Sequence, residues 1–307
     1  MNILTTKEIN EALLLKDKLI NETEFTGVSI DTRTIKKGNL FIPIKGKNYD
    51  GHSFIGEALK KGAYASLVEL RKKQFVKYDK RLIFVKSTID SLHKLAMFSR
   101  NRIKDLIIIC VTGSSGKTTL KEWIFKTLKG SVNTYRTIGN FNNEIGMPLS
   151  LVNMPRDTKI CVLEIGMNSP GEIKRLSKIA KPNVGIITNI GSAHVANFEN
   201  TVNIAKEKSD IFCSFDEESI AIIPFETGYY NLISKKALKK TKKVYSFGKN
   251  KSCDFRIVTR EESVSKLMII DKEFNLKNNQ SFINWEQNIV IILGLLRILK
   301  IKIKNIM

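Results

Sequence analysis

The most specific chemistry in the chain lies in Val111-Thr112-Gly113-Ser114-Ser115-Gly116-Lys117-Thr118-Thr119. Small residues let backbone N–H groups curl around an anion. A lysine adds a point charge, and a following helix adds the positive end of its dipole. A threonine just after that lysine puts a hydroxyl where Mg2+ binds beside phosphates. The apolar run 106–111 and the helical pattern 120–128 flank the glycines, so strand, turn and helix are all present. Two residues separate Gly113 from Gly116, fewer than in the general phosphate-loop pattern. Gly113, Ser114, Ser115, Gly116, Lys117, Thr118 and Thr119 are therefore candidate contacts for ATP or GTP phosphates, with Thr118 a candidate Mg2+ ligand. An ordinary Gly/Ser turn would not explain Lys117-Thr118-Thr119 at a helix start.

Other chemistry-bearing residues follow. The apolar run 159–166 contains Glu164 near its end, and ligands of parallel sheets collect beyond strand C-termini, so Glu164 is a candidate metal ligand. The stretch from Thr137 through Gly139-Asn140-Phe141-Asn142-Asn143 concentrates amides on a tight loop and predicts a substrate contact rather than a plain loop. His194 follows the next expected strand; its position alone fits a metal ligand, a substrate contact or a plain loop histidine. Lys208 shares a helix face with Ile204, Ile211 and Phe212, which predicts an apolar stem lying along the surface with its ammonium in water. Nearer the N-terminus, Arg33 could pair with a phosphate or only with Asp31. His52, in an Asp50-Gly51-His52 turn, could contact a ligand or merely sit on the surface.

These groups need a scaffold, and 307 residues with 42% hydrophobic content suffice for two domains. Short strands and helices over 1–87 predict a small α/β domain. The repeated strand–helix pattern over 88–307 predicts a doubly wound sheet carrying the phosphate loop, with helix 89–102 as the link. Pro43 predicts an edge position for strand 40–44. Four scattered cysteines give no zinc spacing, and Cys110 and Cys161 read as buried small hydrophobes. The net charge of +21 is spread along the chain without aromatic interleaving, which argues against a nucleic-acid partner. No signal-like or membrane-spanning run is found, so membrane insertion is not expected and the cytoplasm is.

Taken together, the motifs resemble those of the Mur ligase family. Asp31-Thr32-Arg33, Gly38-Asn39-Leu40-Phe41 and Asp50-Gly51-His52 are similar to its UDP-binding domain, and residues 112–119 to its ATP loop. Thr137 with residues 139–146 resembles the segment that marks the members adding D-alanyl-D-alanine to a UDP-N-acetylmuramoyl-tripeptide. Glu164-Ile165-Gly166, Pro170-Gly171-Glu172-Ile173, Asn189-Ile190-Gly191, Ala193-His194 and Lys208-Ser209-Asp210 follow in family order. The resemblance implies ATP-dependent amide formation with ATP and Mg2+. It implies catalytic roles for Lys117, Glu164, His194 and Lys208, and metal roles for Thr118, Glu164, His194 and a carbamylated Lys208. It implies substrate contacts at Thr32, Arg33, Asp50, His52, Thr137, Asn140, Asn142 and Asn143, and an adenine-side contact at Asn288.

Two departures accompany the resemblance. Pro224 and Asn284 stand where the family usually has an asparagine and a histidine near adenine. The family's third, C-terminal domain has no counterpart in these residues, so an incomplete ligase, or one completed by a separately encoded domain, is expected. The alternatives are a sister ligase adding a single amino acid and a non-catalytic nucleotide-binding protein.

Overall fold

The computed structural model describes residues 2–15, 22–46, 48–75, 79–192, 195–260, 264–277 and 285–302. The chain forms two compact units, Met1–Lys104 with Ile145–Thr158, and Asp105–Glu144 with Lys159–Met307.

In the first unit, the parallel strands Gly27–Ser29, Asn39–Phe41, Ala65–Glu69 and Leu82–Val85 pair in that order. Phe41, Ile55, Ala58, Leu59 and Val68 form the core beneath them. Helix Thr6–Leu13 starts at a capping box, in which Thr5 and Glu8 satisfy each other's backbone N–H groups. The strand containing Phe41 is internal and stops before Pro43, so the expected edge position is not found; proline's missing donor ends the ladder there instead.

Helix Thr88–Asn101, capped by Ser87, buries Leu92, Leu95 and Ala96 and packs against helix Gly146–Val152, every residue of which is buried. This apolar contact groups residues 88–104 and 145–158 with the first unit, whereas the sequence pattern put the boundary at 87/88. Local periodicity reveals that a helix has an apolar face, but not which sheet or helix that face covers.

In the second unit, the sheet order is Thr134–Arg136, Ile160–Glu164, Ile107–Thr112, Val184–Ile187, Ile220–Pro224, Val244–Gly248, Phe255–Arg260, Val264–Ile269 and Lys272–Lys277. The first seven strands in this order run parallel and the last two pairings are antiparallel. Winding starts at Ile107–Thr112, moves to one edge and then returns to the other side. This is the expected doubly wound arrangement, with its switch point at the strand that feeds the phosphate loop. The core runs from Ile109, Val111 and Val162 through Ile186 and Ile222 to Phe255 and Leu295. Cys110 and Cys161 are fully buried, as their apolar runs predict, and the cysteines are free. Strand Lys272–Lys277 is absent from the sequence reading because it is exposed or half-buried throughout and its apolar alternation is limited to Phe274 and Leu276.

One polar contact holds an edge of the first sheet. The Asn153 amide accepts from Val28 N–H at 2.8 Å and donates to Val28 C=O at 2.9 Å, acting as a one-residue substitute for a neighbouring strand. Asn153→Ala should strip both partners and destabilise this unit by about 2 kcal/mol, read as a lower urea midpoint with an unchanged slope.

Candidate phosphate-loop site

Strand Ile107–Thr112 ends at the loop, and helix Lys117–Leu128 begins directly after it. Gly113 and Gly116 have φ of 152° and 77°, values that favour glycine. A Cβ on Gly113 would also overlap Thr188 Oγ1. The helix N-terminus has no side-chain cap, so its first N–H groups remain available to an anion. The loop is stapled from the next strand: Thr188 Oγ1 donates to Ser115 C=O at 2.6 Å, and Asn189 Oδ1 accepts from Ser115 N–H at 2.9 Å. Ser114 Oγ exchanges hydrogen bonds with Gly191.

Three elements meet at Glu164, which is 2% exposed at the end of its strand. Thr118 Oγ1 donates to Glu164 Oε2 at 2.7 Å, and Asn142 Nδ2 donates to Oε1 at 2.8 Å. Thr137 is fully buried and its hydroxyl accepts from Glu164 N–H at 3.1 Å. The structure therefore places Thr137 behind the carboxylate, as a support for its strand end. Asn140 and Asn143 are exposed on the same loop, and the Gly166 N–H bonds back to Asn142 C=O at 2.8 Å.

A cavity of about 100 Å3 opens here, lined by Gly113, Lys117, Asn142, Asn143, Gly166 and Lys208 among others. Lys117 Nζ curls back to Gly113 C=O at 2.9 Å. Burial lowers the pKa of this ammonium, and the Glu164 charge opposes that shift. Thr119 is exposed at the start of the helix.

Lys208 departs from its periodicity reading. It is 2% exposed, and its Nζ lies 3.9 Å from Met167 Sδ instead of reaching water. Burial, reinforced by the Lys117 charge and opposed by Glu207, lowers its pKa to about 7. Glu207 is itself held by the Gly171 and Ile173 N–H groups at the start of helix Glu172–Ala180.

The donor set suits Mg2+. Thr118 and Glu164 offer one neutral and one anionic oxygen at the mouth of a phosphate loop, and Mg2+ takes one or two protein groups beside phosphate oxygens and waters. Among the described residues, no cluster of three His, Cys, Asp or Glu forms an all-protein metal cage. His194 lies outside the described residues. Asn288 is half-buried in the first turn of helix Glu286–Ile298, and Pro224 ends its strand.

The sequence reading missed Lys121. This side chain is fully buried, with Nζ at 2.9 Å from Gly139 C=O, 3.4 Å from Glu122 and 3.8 Å from Glu164. Its spacing from Lys117 and Thr118, four and three residues, was the available signal for a shared helix face. Thr188 was missed too; nothing in its strand pattern marks it as a staple.

The candidates in the first unit are arranged separately. The exposed Arg33 pairs with Asp31 through Nε at 3.0 Å and its terminal nitrogen at 2.6 Å, and this pairing lowers the Asp31 pKa. Thr32 is half-buried, with its carbonyl facing Lys61. Asp50 caps the turn Gly51–Phe54 and binds Lys72 at 3.0 Å. Burial would raise its pKa, but bonds from His52 and Lys72 outweigh that and lower it. His52 corrects an expectation. It is buried, Nδ1 pairs with Asp50 at 2.7 Å and Nε2 accepts from Glu69 N–H at 3.2 Å. Both ring nitrogens are hydrogen-bonded within the unit, so this imidazole ties a turn to a strand instead of lying on the surface.

Residues 111–286 match the Mur ligase middle domain, and residues 24–100 match the Mur ligase family catalytic domain. Two curated relatives are named UDP-N-acetylmuramoyl-tripeptide–D-alanyl-D-alanine ligase. The one from Buchnera aphidicola subsp. Baizongia pistaciae is 37% identical over 79% of this chain and 52% of its own length. The one from Treponema pallidum is 40% identical over 65% of this chain and 45% of its own length. The chain thus spans about half the length of these curated relatives. Among solved structures, MurF from Acinetobacter baumannii superposes with a TM-score of 0.85 at 27% identity, over 97% of this chain and 65% of that one. MurF ligase from Thermotoga maritima in complex with ADP gives a TM-score of 0.79 at 31% identity, over 91% of this chain and 64% of that one.

The Lys208 environment sets a pH signature. Its folded pKa of about 7 lies below the ordinary 10.5, so between these values the unfolded chain binds a proton that the folded chain does not. Stability should rise with pH through that window, and the buried ammonium should cost most below it. In bicarbonate-free buffer, Lys208→Met should raise the urea midpoint clearly at pH 6 and much less at pH 10.

Proposed function

Because the chain belongs to the Mur ligase family, we propose that it takes part in an ATP-dependent ligation joining D-alanyl-D-alanine to a UDP-N-acetylmuramoyl-tripeptide, in the cytoplasm. The observation carrying this reading is the meeting of the phosphate-loop Thr118 and the asparagine-loop Asn142 on the two oxygens of Glu164. One carboxylate thereby links a nucleotide-binding element to a loop rich in amide groups. No helix among the described residues is long and apolar enough to cross a membrane, which fits a ligase that works on water-soluble substrates.

In this reading, the loop N–H groups, Ser114, Ser115, Thr119 and Lys117 hold the ATP phosphates, with Asn288 toward the adenine. Thr118 and Glu164 hold Mg2+, and the resemblance adds His194. Bound there, Mg2+ neutralises charge on the phosphoryl oxygens. Lys208, with its pKa near neutrality, has an amine lone pair that can add CO2. The resulting carbamate would bring a second anion toward Glu164.

Asn140, Asn142 and Asn143 contact the acceptor substrate, and Thr137 acts on it through the Glu164 backbone. Thr32, Arg33 and Asp50 belong to the UDP side, in the first unit. The terminal carboxylate of the tripeptide attacks the γ-phosphoryl group, giving an acyl phosphate and ADP. The dipeptide amine then adds to the acyl carbon and phosphate leaves.

A substrate panel tests the proposal. Phosphate release is measured with ATP, the UDP-linked tripeptide and either D-alanyl-D-alanine or single amino acids. The chain is assayed alone and with the part of a relative that it does not match. Dipeptide-dependent release is expected, falling about 100-fold in Glu164→Gln. Release with a single amino acid and none with the dipeptide would assign the chain to a sister ligase. Nucleotide binding without release in any mixture would favour a non-catalytic role.

A further inference from the structure

Lys121 is spent on no step of the proposed reaction, yet it is one of the largest fully buried side chains in the molecule. Burying an ammonium is costly unless polar partners replace its water, so its partners define its purpose. Its shortest contact is the Gly139 carbonyl at 2.9 Å, at the root of the asparagine loop, where Gly139 itself has φ of 58°. Glu122 and Glu164 lie 3.4 and 3.8 Å from Nζ and balance its charge. Glu122 is in turn fixed by Arg136 Nε at 2.8 and 2.9 Å, and the Arg136 guanidinium stacks 4.1 Å over Phe125 on the helix that carries Lys121. The ammonium is thus anchored from the helix side and reaches out to the loop.

We infer that Lys121 is the positioning residue of the asparagine loop: it clamps Gly139 to the phosphate-loop helix so that Asn140, Asn142 and Asn143 face the acceptor substrate. The inference rests on the reading of that loop given under Proposed function. Lys121 is fully buried, and we assign it no direct contact with nucleotide or acceptor. Its effect runs through the loop carbonyl, and through Asn142, whose own N–H bonds to Asn140 C=O at 2.7 Å and whose carbonyl holds Gly166 N–H. A lysine suits the task because three donors on one nitrogen can serve a carbonyl and two carboxylates together. Methionine has similar bulk without a donor, and arginine keeps the charge and the donors.

The test compares Lys121→Met and Lys121→Arg in the full chain by two readouts. The first is amide hydrogen exchange at Asn142 and Gly166. Lys121→Met should speed both by about tenfold while leaving the interior amides of helix Lys117–Leu128 protected, and Lys121→Arg should restore most of the protection. The second is a split in affinity. Lys121→Met should weaken binding of the UDP-linked tripeptide by about tenfold or more and change metal-free ADP binding by less than about twofold. Unchanged exchange at the loop, or equal loss of both affinities, would overturn the inference and make Lys121 an ordinary core group. If the unmodified chain binds ADP but not the UDP-linked tripeptide, the acceptor assignment fails instead, and the exchange measurement still decides whether Lys121 is the clamp.

Discussion

A carboxylate buried at the end of a parallel strand has to be answered by donors, and the site is built around that requirement at Glu164. Thr118 answers one oxygen and Asn142 the other, while Thr137 holds the backbone N–H behind them. Each partner comes from a different element: the two donors from the phosphate-loop helix and the asparagine loop, and the Thr137 acceptor from the short segment leading into that loop. Because the sheet switches direction at Ile107–Thr112, the phosphate loop and the Glu164 strand end side by side. Sheet topology brings these groups together, and the hydrogen bonds fix their orientation.

The same constraint explains the charge pattern around the cavity. Two lysines, Lys117 and Lys208, line it, and burial lowers the pKa of each. Their mutual repulsion adds to the shift at Lys208, while the negative charges of Glu164 and Glu207 oppose the shifts at Lys117 and Lys208 respectively. The lowered pKa of Lys208 favours its neutral amine, while Lys117, a cation held partly against its preference for water, is poised for an anionic ligand. Phosphates of a nucleotide have that character. The stapling of Ser114 and Ser115 by Asn189 and Gly191 keeps the loop open for them without the ligand's help.

Much of this was legible in the residues. Gly113 to Thr119 announced its strand, turn and helix, because each residue type there answers a distinct requirement of phosphate binding. Glu164 was readable because an acidic group near the end of an apolar run is unusual, and parallel sheets put such ends at the crevice. Lys208 and Lys121 were not readable as buried groups, since periodicity assigns a face but cannot tell whether a lysine stem continues into water or stops beneath a loop. The resemblance singled out Lys208 where periodicity did not, and nothing singled out Lys121. His52 shows the reverse limit: a histidine in a turn looks free for a ligand until the strand that supplies Glu69 N–H is placed beside it. The grouping of helices 88–101 and 146–152 depends on a contact between segments far apart in sequence, which no local pattern encodes.

The central claim is that Glu164 couples the nucleotide's metal to the loop that faces the acceptor. Its most direct test is ADP affinity with and without Mg2+, in the unmodified chain and in Glu164→Gln. Mg2+ should tighten ADP binding by about tenfold or more in the unmodified chain and have little effect in the variant, while metal-free affinity stays similar in both. An undiminished Mg2+ effect in Glu164→Gln would contradict it, placing the metal elsewhere and leaving Glu164 as a structural carboxylate.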